Sequence, residues 1–245
     1  MIRFLLLAAV MMMVPGLAAA QQLPTDLFTA PIDGSVAAWI IRTFGLLTVL
    51  SVAPGILIMV TSFPRFVIAF SILRSGMGLA STPSNMILTS LALFMTFYVM
   101  SPTMDRAWTE GVQPLLENRM TEAQAVTAIA EPFRVFMTAN TRDKDLKLFV
   151  DIANERGQTP VVGDKVDYRV LVPAFMLSEI RRGFEIGFLI VLPFLVIDMI
   201  VATITMAMGM MMLPPTSISL PFKILFFVLI DGWNLLVGSL VRSFA

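Results

Sequence analysis

Residues Ile186 to Leu213 run for 28 positions with a single charged side chain, Asp198. As a helix this stretch measures about 42 Å, longer than a hydrocarbon core of about 30 Å. A kink at Pro193 is therefore expected, because proline removes a helical hydrogen bond. The chain then turns at Pro214-Pro215-Thr216-Ser217, restarts at Pro221, which suits a first helical turn, and stays apolar to Val241. A long helical hairpin with a methionine-rich tip at 206–215 is the expected outcome.

Composition agrees. The 245 residues are 57% hydrophobic with a mean hydropathy of +0.85, against about 45–50% apolar content in ordinary soluble domains. The chain is membrane-associated. Lysine plus arginine number 17 and aspartate plus glutamate 17, so no net field attracts nucleic acid. Cysteine and histidine are both absent, which removes disulfides, Cys/His zinc sites, histidine-ligated haem and a histidine general base. Catalysis would then rest on carboxylates, a Ser-Lys pair or a carboxylate-bound metal.

At the N-terminus Met1-Ile2-Arg3 precedes a short apolar run, Phe4 to Val14, and then Ala18-Ala19-Ala20. The run is too short for the roughly 20 residues of a spanning helix. With its small-residue ending it predicts a signal peptide over 1–20, cleaved between Ala20 and Gln21. The mature N-terminus would then face the periplasm of a bacterial inner membrane. A polar lead follows over 21–42, hydrophobic hairpin helices over 43–104, a polar helical subdomain over 105–182 and the long hairpin over 183–245. Within the polar region, Thr121-Glu122-Ala123-Gln124 forms a capping-box signature. Leu146, Phe149, Val150 and Ala153 share one helical face, with Gly157 just beyond. No alternating strand pattern of useful length is present, so the fold class is all-α.

A simple hydropathy count gives four spans. The connection Ser62 to Asn85 carries Arg65 and Arg74 and no acid, as a short cytoplasmic loop should. Yet Arg65 interrupts the apolar stretch Phe44 to Leu73, and Asp198 and Asp231 interrupt the C-terminal block. A charge at a helix centre costs about 2.5–3.5 kcal/mol on insertion scales. Protein neighbours, rather than lipid, should surround these groups.

Asp198 and Asp231 are equidistant in sequence from the Pro214/Pro215 junction, which suggests a similar depth on adjacent helices. Pairing with Arg65, Arg74 or a neighbour's backbone is one reading, a proton relay a second, and an intramembrane aspartyl protease a third. Glu179 and Glu185 could pair locally with Arg181 or Arg182, or between subunits. At the tip, Met206 and Met210 share one face while Met208, Met211 and Met212 lie broadly opposite. Methionines so placed either fill irregular gaps or form a compliant seal, which requires a ring of copies.

The stretches "PAFMLSEIRRGFEIGFLIVLPFLVIDMIVA", "MGMMMLPP" and "SLPFKILFFVLIDGW", with "TSFPRFVIAFSILRSGMG" and "TPSNMILTSLALFMTFYVMSP" upstream, closely resemble the FliP family of flagellar export-gate proteins. That family is related to the R subunits of injectisome type III secretion systems, and the resemblance implies a non-enzymatic role with no catalytic residue, metal or cofactor. The resemblance implies several copies, five by analogy, assembling helically or in a ring with the Q and R subunits, and with B and A export subunits nearby. Unfolded flagellar proteins would cross the inner membrane through this core of the basal body. It further implies that Met208, Met210, Met211 and Met212 form a gasket narrowing the pore, with Gly209, Pro214 and Pro215 making the turn, and that the assembled core sits toward the periplasm. The runner-up is a proton-coupled secondary transporter working through Asp198 and Asp231.

Overall fold

The computed structural model describes residues 34–162, 165–209 and 214–244. The expected signal peptide with its Ala20/Gln21 cleavage point, most of the polar lead, and Met210, Met211 and Met212 lie outside the described residues. Residues 54–245 form one compact unit and residues 1–53 another.

The all-α expectation holds. Among the described residues the helices are α1 (Gly34–Met59), α2 (Phe63–Gly76), α3 (Asn85–Ala107), α4 (Gln113–Leu116), α5 (Glu122–Asn140), α6 (Asp143–Glu155), α7 (Tyr168–Ala207), α8 (Pro215–Leu229) and α9 (Gly232–Arg242). A π-helical turn, Trp108–Val112, joins α3 to α4. The strand content is an antiparallel two-rung hairpin, β1 (Val161–Val162) and β2 (Lys165–Val166). It is tied to α5 by Arg134, which donates to the Val166 carbonyl and lies over the Tyr168 ring.

Local chemistry sets the helix ends. Thr121 and Gln124 form the expected capping box, each satisfying the other's free backbone N–H. Asp143 and Asp145 sit in the first turn of α6, where the helix dipole favours negative charge, and Gly157 follows that helix with φ +66. Asp167 caps α7 by accepting from the Arg169 N–H at 2.8 Å.

Three expectations require correction. The apolar stretch Phe44 to Leu73 is not one helix: it breaks at Val60–Ser62, and Pro64, which needs no helical donor, stands in the first turn of α2. Arg65 therefore begins a helix rather than interrupting one. The C-terminal arm restarts at Pro215, with Pro221 inside α8, because Pro215 already provides the first-turn proline. That arm is also not one helix, since Asp231 adopts φ +52 and bends α8 against α9 by 63°.

Helix α7 runs unbroken for 40 residues through Pro173 and Pro193, across the hydropathy change at 182/183. Against it lies α2, in the most extensive helix pairing of the fold. Gly183 abuts Ile68 and the Arg65 carbonyl, Gly187 abuts Ile72, and Gly76 abuts Val191. These contacts recur every four residues in the same direction, so the two helices are parallel and in constant register. A Cβ on Gly187 would sit 2.9 Å from Ile72 Cδ1, and one on Gly76 2.3 Å from Val191 Cγ2. Small residues four apart allow this close backbone approach. Phe66, Phe70 and Leu73 of α2, Val191 and Phe194 of α7, Phe227 of α8 and Leu236 and Leu240 of α9 form the larger core. A second cluster joins Val60 and Met137 to Leu171 and Phe175.

Gly187→Val should overpack this seam, destabilising the fold by about 1–3 kcal/mol. Ile72→Ala in the same chain should recover part of the loss, and thermal aggregation of the detergent-extracted protein measures both.

Candidate functional site

Two ion pairs organise the charges that hydropathy made costly. Arg65 and Glu179 are both fully buried. Arg65 Nε donates to Glu179 Oε2 at 3.0 Å, and Nη2 to Oε1, in a two-point fork. The remaining nitrogen, Nη1, donates to the Ser243 carbonyl at 3.0 Å and to Ser243 Oγ at 2.7 Å. Phe244 lies against the guanidinium face, with its centroid 3.5 Å from the Arg65 Cζ. Its ring also meets Phe66 of α2 and Phe136 of α5. Arg182 Nη1 donates to the same Ser243 carbonyl at 3.4 Å. One guanidinium thus joins α2, α7 and the segment after α9. Every nitrogen is satisfied, as a buried arginine requires.

The second pair closes the hairpin. Lys223 Nζ of α8 donates to Asp198 Oδ2 of α7 at 2.6 Å, and Ser219 Oγ to Asp198 Oδ1 at 2.5 Å. Lys223 Nζ also donates to the Gly76 carbonyl at 3.1 Å, at the end of α2, where the helix dipole favours a cation. Phe194 and Phe227 stand opposite one another in the same hairpin register, with centroids 6.1 Å apart.

That register places Asp231 opposite Ile190, about two turns from Asp198 along α7. The expectation that the two aspartates share a depth is therefore corrected. Helix α7 ends at Ala207, well before the Pro214/Pro215 junction, so sequence distance from the prolines misplaces the turn. Asp231 is exposed, and its carboxylate has no hydrogen-bond or ionic partner among the described residues. Asp198 pairs with neither Arg65 nor Arg74. Arg74 Nη1 instead donates to Asn85 Oδ1 and to the Pro83 carbonyl at 3.4 Å. Glu185 meets Arg181 one turn earlier at 3.0 Å, an exposed pair of small energetic value. Glu179 engages neither Arg181 nor Arg182 by hydrogen bond, because its side chain is taken by Arg65.

At the tip, Met206 and Met208 are 60% and 66% exposed, and Gly209 has φ +76, a conformation that favours glycine. Pro214 caps α8 in an extended conformation, and Pro215 occupies its first turn. Above the tip an apolar groove of about 430 Å³ is lined by Ile197, Ile200, Val201, Ile204, Thr205, Met208, Ile218 and Phe222. Met199, Ile200 and Ile204 stand largely exposed on the same helix.

Sequence reasoning missed Lys223, Ser219, Ser243 and Phe244. Lys223 could have been found: it is the lone base between Asp198 and Asp231, and a buried acid in an apolar block needs one. The Gly183-x-x-x-Gly187 spacing is also legible as a close-packing signature. Nothing in the sequence signals that Ser243 and Phe244 return to Arg65.

Two described helical segments, Asn85–Leu116 and Tyr168–Ala207, are long and apolar enough to cross a membrane, and the bent α8–α9 pair could form a third. Among the described residues no cluster of three or more acidic side chains could hold a metal. Fold and site together define an all-helical membrane protein whose polar groups serve internal ion pairs. The sequence profile of the FliP family matches residues 46–240, and the chain belongs to that family. It is 84% identical over 244 residues to the flagellar biosynthetic protein FliP of Agrobacterium fabrum, covering 100% of both chains. To the protein of that name from Rhizobium meliloti it is 76% identical over 244 residues, again covering 100% of each. The similarity extends to the Bacillus subtilis protein, at 50% identity over 199 residues, 81% of this chain and 89% of that one.

Breaking the buried pair should be severe. Glu179→Leu alone leaves an uncompensated guanidinium, expected to cost about 3–5 kcal/mol, whereas Arg65→Met with Glu179→Leu should cost markedly less. Urea titration of the folded helical signal in micelles compares the two.

Proposed function

We propose that this chain is a core subunit of the flagellar type III export gate, working in several copies around a pore. Membership of a family whose curated relatives are named for flagellar biosynthesis supports the flagellar assignment. The observation that carries the gate reading is the uncovered hairpin. By the α2–α7 register, α2 ends level with Val191, so α7 continues about 24 Å further to Ala207 with α8 as its one helical neighbour among the described residues. The loop 77–84 after α2 would then lie beside the apolar middle of α7. Irregular backbone at membrane depth is tolerated only against protein or a water-filled cavity, not against lipid. Neighbouring subunits meet that requirement.

In this reading α7 and α8 from successive copies line the pore, and Met208 with Met210, Met211 and Met212 closes it. Unbranched thioether side chains reshape around varied unfolded flagellar proteins and re-seal behind them. The Q and R subunits complete the core, five copies of this chain surround the passage, and the A and B export subunits dock nearby, as the family resemblance implies. The chain performs no catalysis and needs no cofactor. It resides in the inner membrane at the flagellar basal body, with residues 105–182 on the periplasmic side and the signal peptide removed after Ala20.

A proton-coupled transporter working through Asp198 and Asp231 has less support. Asp198 is already bound by Lys223 and Ser219, and Asp231 stands about two turns away.

Alanine at Met208, Met210, Met211 and Met212 together should leave the complex assembled while admitting small ions, read as dissipation of membrane potential in growing cells. An assembled variant with an unchanged permeability barrier would contradict the gasket.

A further inference from the structure

Below the level of Gly187, the described part of the 54–245 unit holds four charged side chains: Arg74, Asp198, Lys223 and Asp231. Asp198 and Lys223 neutralise each other within the chain. The two left over have opposite signs. Arg74 is half-buried and uses only Nη1, on neutral acceptors; its Nε and Nη2 donors take no hydrogen bond among the described residues. Asp231 presents its carboxylate from the α8–α9 bend, amid exposed Val228, Leu229 and Leu235.

Their heights agree. The α2–α7 register sets Arg74 level with Leu189, and the α7–α8 register sets Asp231 opposite Ile190. Beside Arg74 is a cavity of about 380 Å³, lined also by Val67, Ser71, Asn85, Leu88 and Thr89, with room for an incoming side chain. The apolar residues around Asp231 need covering. Once they are covered, a lone carboxylate among them must be paired, because burying an isolated charge is far costlier than burying a paired one.

We infer that Asp231 of one copy pairs with Arg74 of the next, forming a repeating charge contact between adjacent copies of this chain. The inference rests on the multi-copy reading above and adds the contact that sets neighbour to neighbour. Two different surfaces meeting head to tail form a heterologous interface, which generates a ring or a helix. The forked guanidinium suits a carboxylate arriving on its free Nε and Nη2 edge. Equal height means that copies side by side meet without a large axial slip. Asp231 adopts the left-handed conformation that glycine would take more easily. Its carboxylate thus has a use beyond the turn.

The chain has no cysteine, so a direct test is available in cells carrying the complete export apparatus. Two differently tagged full-length chains are coexpressed, one with Arg74→Cys and one with Asp231→Cys. A short bifunctional thiol reagent should give a mixed dimer, and neither variant expressed alone should give more than a trace. Separately, Arg74→Asp or Asp231→Arg should each lower the assembled fraction about tenfold or more, in keeping with close interfacial charge pairs. The double exchange should restore most of it. If native gels show the oligomer intact but no mixed dimer forms and the exchange fails to rescue, the pair is refuted while the multi-copy reading stands. If the unaltered chain forms no oligomer, both fail. Should a reversed charge prevent folding, Asp231→Asn and Arg74→Gln must still weaken assembly; unchanged assembly in both overturns the contact.

Discussion

The structure depends on two helices approaching closely enough to bury an arginine. Helix α2 lies parallel on α7 because Gly183, Gly187 and Gly76 remove the side chains that would hold them apart. Parallel neighbours need a long crossover, and the chain between them supplies it as α3 to α6 and the small hairpin. At the upper end of the seam, where the Arg65 carbonyl abuts Gly183, the Arg65 side chain reaches Glu179. The fork leaves one nitrogen, which Ser243 fills, and an open guanidinium face, which Phe244 covers. A single buried charge thereby binds together positions at 65, 179 and 243. Buried ion pairs add little net stability over apolar replacements, but they penalise every arrangement that leaves a member unpaired. In this fold they act as a register device.

The same logic recurs lower down. Asp198, Ser219, Lys223 and the Gly76 carbonyl fix the hairpin to the end of α2. Below that point no other helix among the described residues covers α7 and α8. The upper part is held by internal contacts, whereas the lower part offers apolar surface and methionines, with the unpaired Arg74 and Asp231 just above it. Such a division suits a protomer that folds alone at one end and is completed by neighbours at the other.

Much of this was legible in the sequence. The helical class, the capping box at Thr121, the amphipathic face of α6 and the break between two apolar helices near Pro214 all follow from periodicity and stop signals. Arg65 and Asp198 were identifiable because charge amid apolar sequence is costly, whereas Glu179 stood out only as a candidate for pairing with Arg181 or Arg182. Their partners were not legible, for a physical reason: Arg65 meets residues 114 and 178 positions away, and no local rule encodes such pairings. The bend at Asp231 was overlooked although Asp231-Gly232 is a turn dipeptide, because the apolar run on both sides of it dominates the local pattern. Helix boundaries near prolines went wrong where two prolines competed for one role, as with Pro215 and Pro221.

The central claim is that the uncovered hairpin tips meet around a common axis. An electron-microscopic reconstruction of the complex extracted from membranes tests it directly. The account predicts several copies with each α7–α8 tip turned inward and the Met208–Met212 segment at the narrowest point. Tips radiating outward into the detergent belt, or a particle without an axial constriction there, would contradict it.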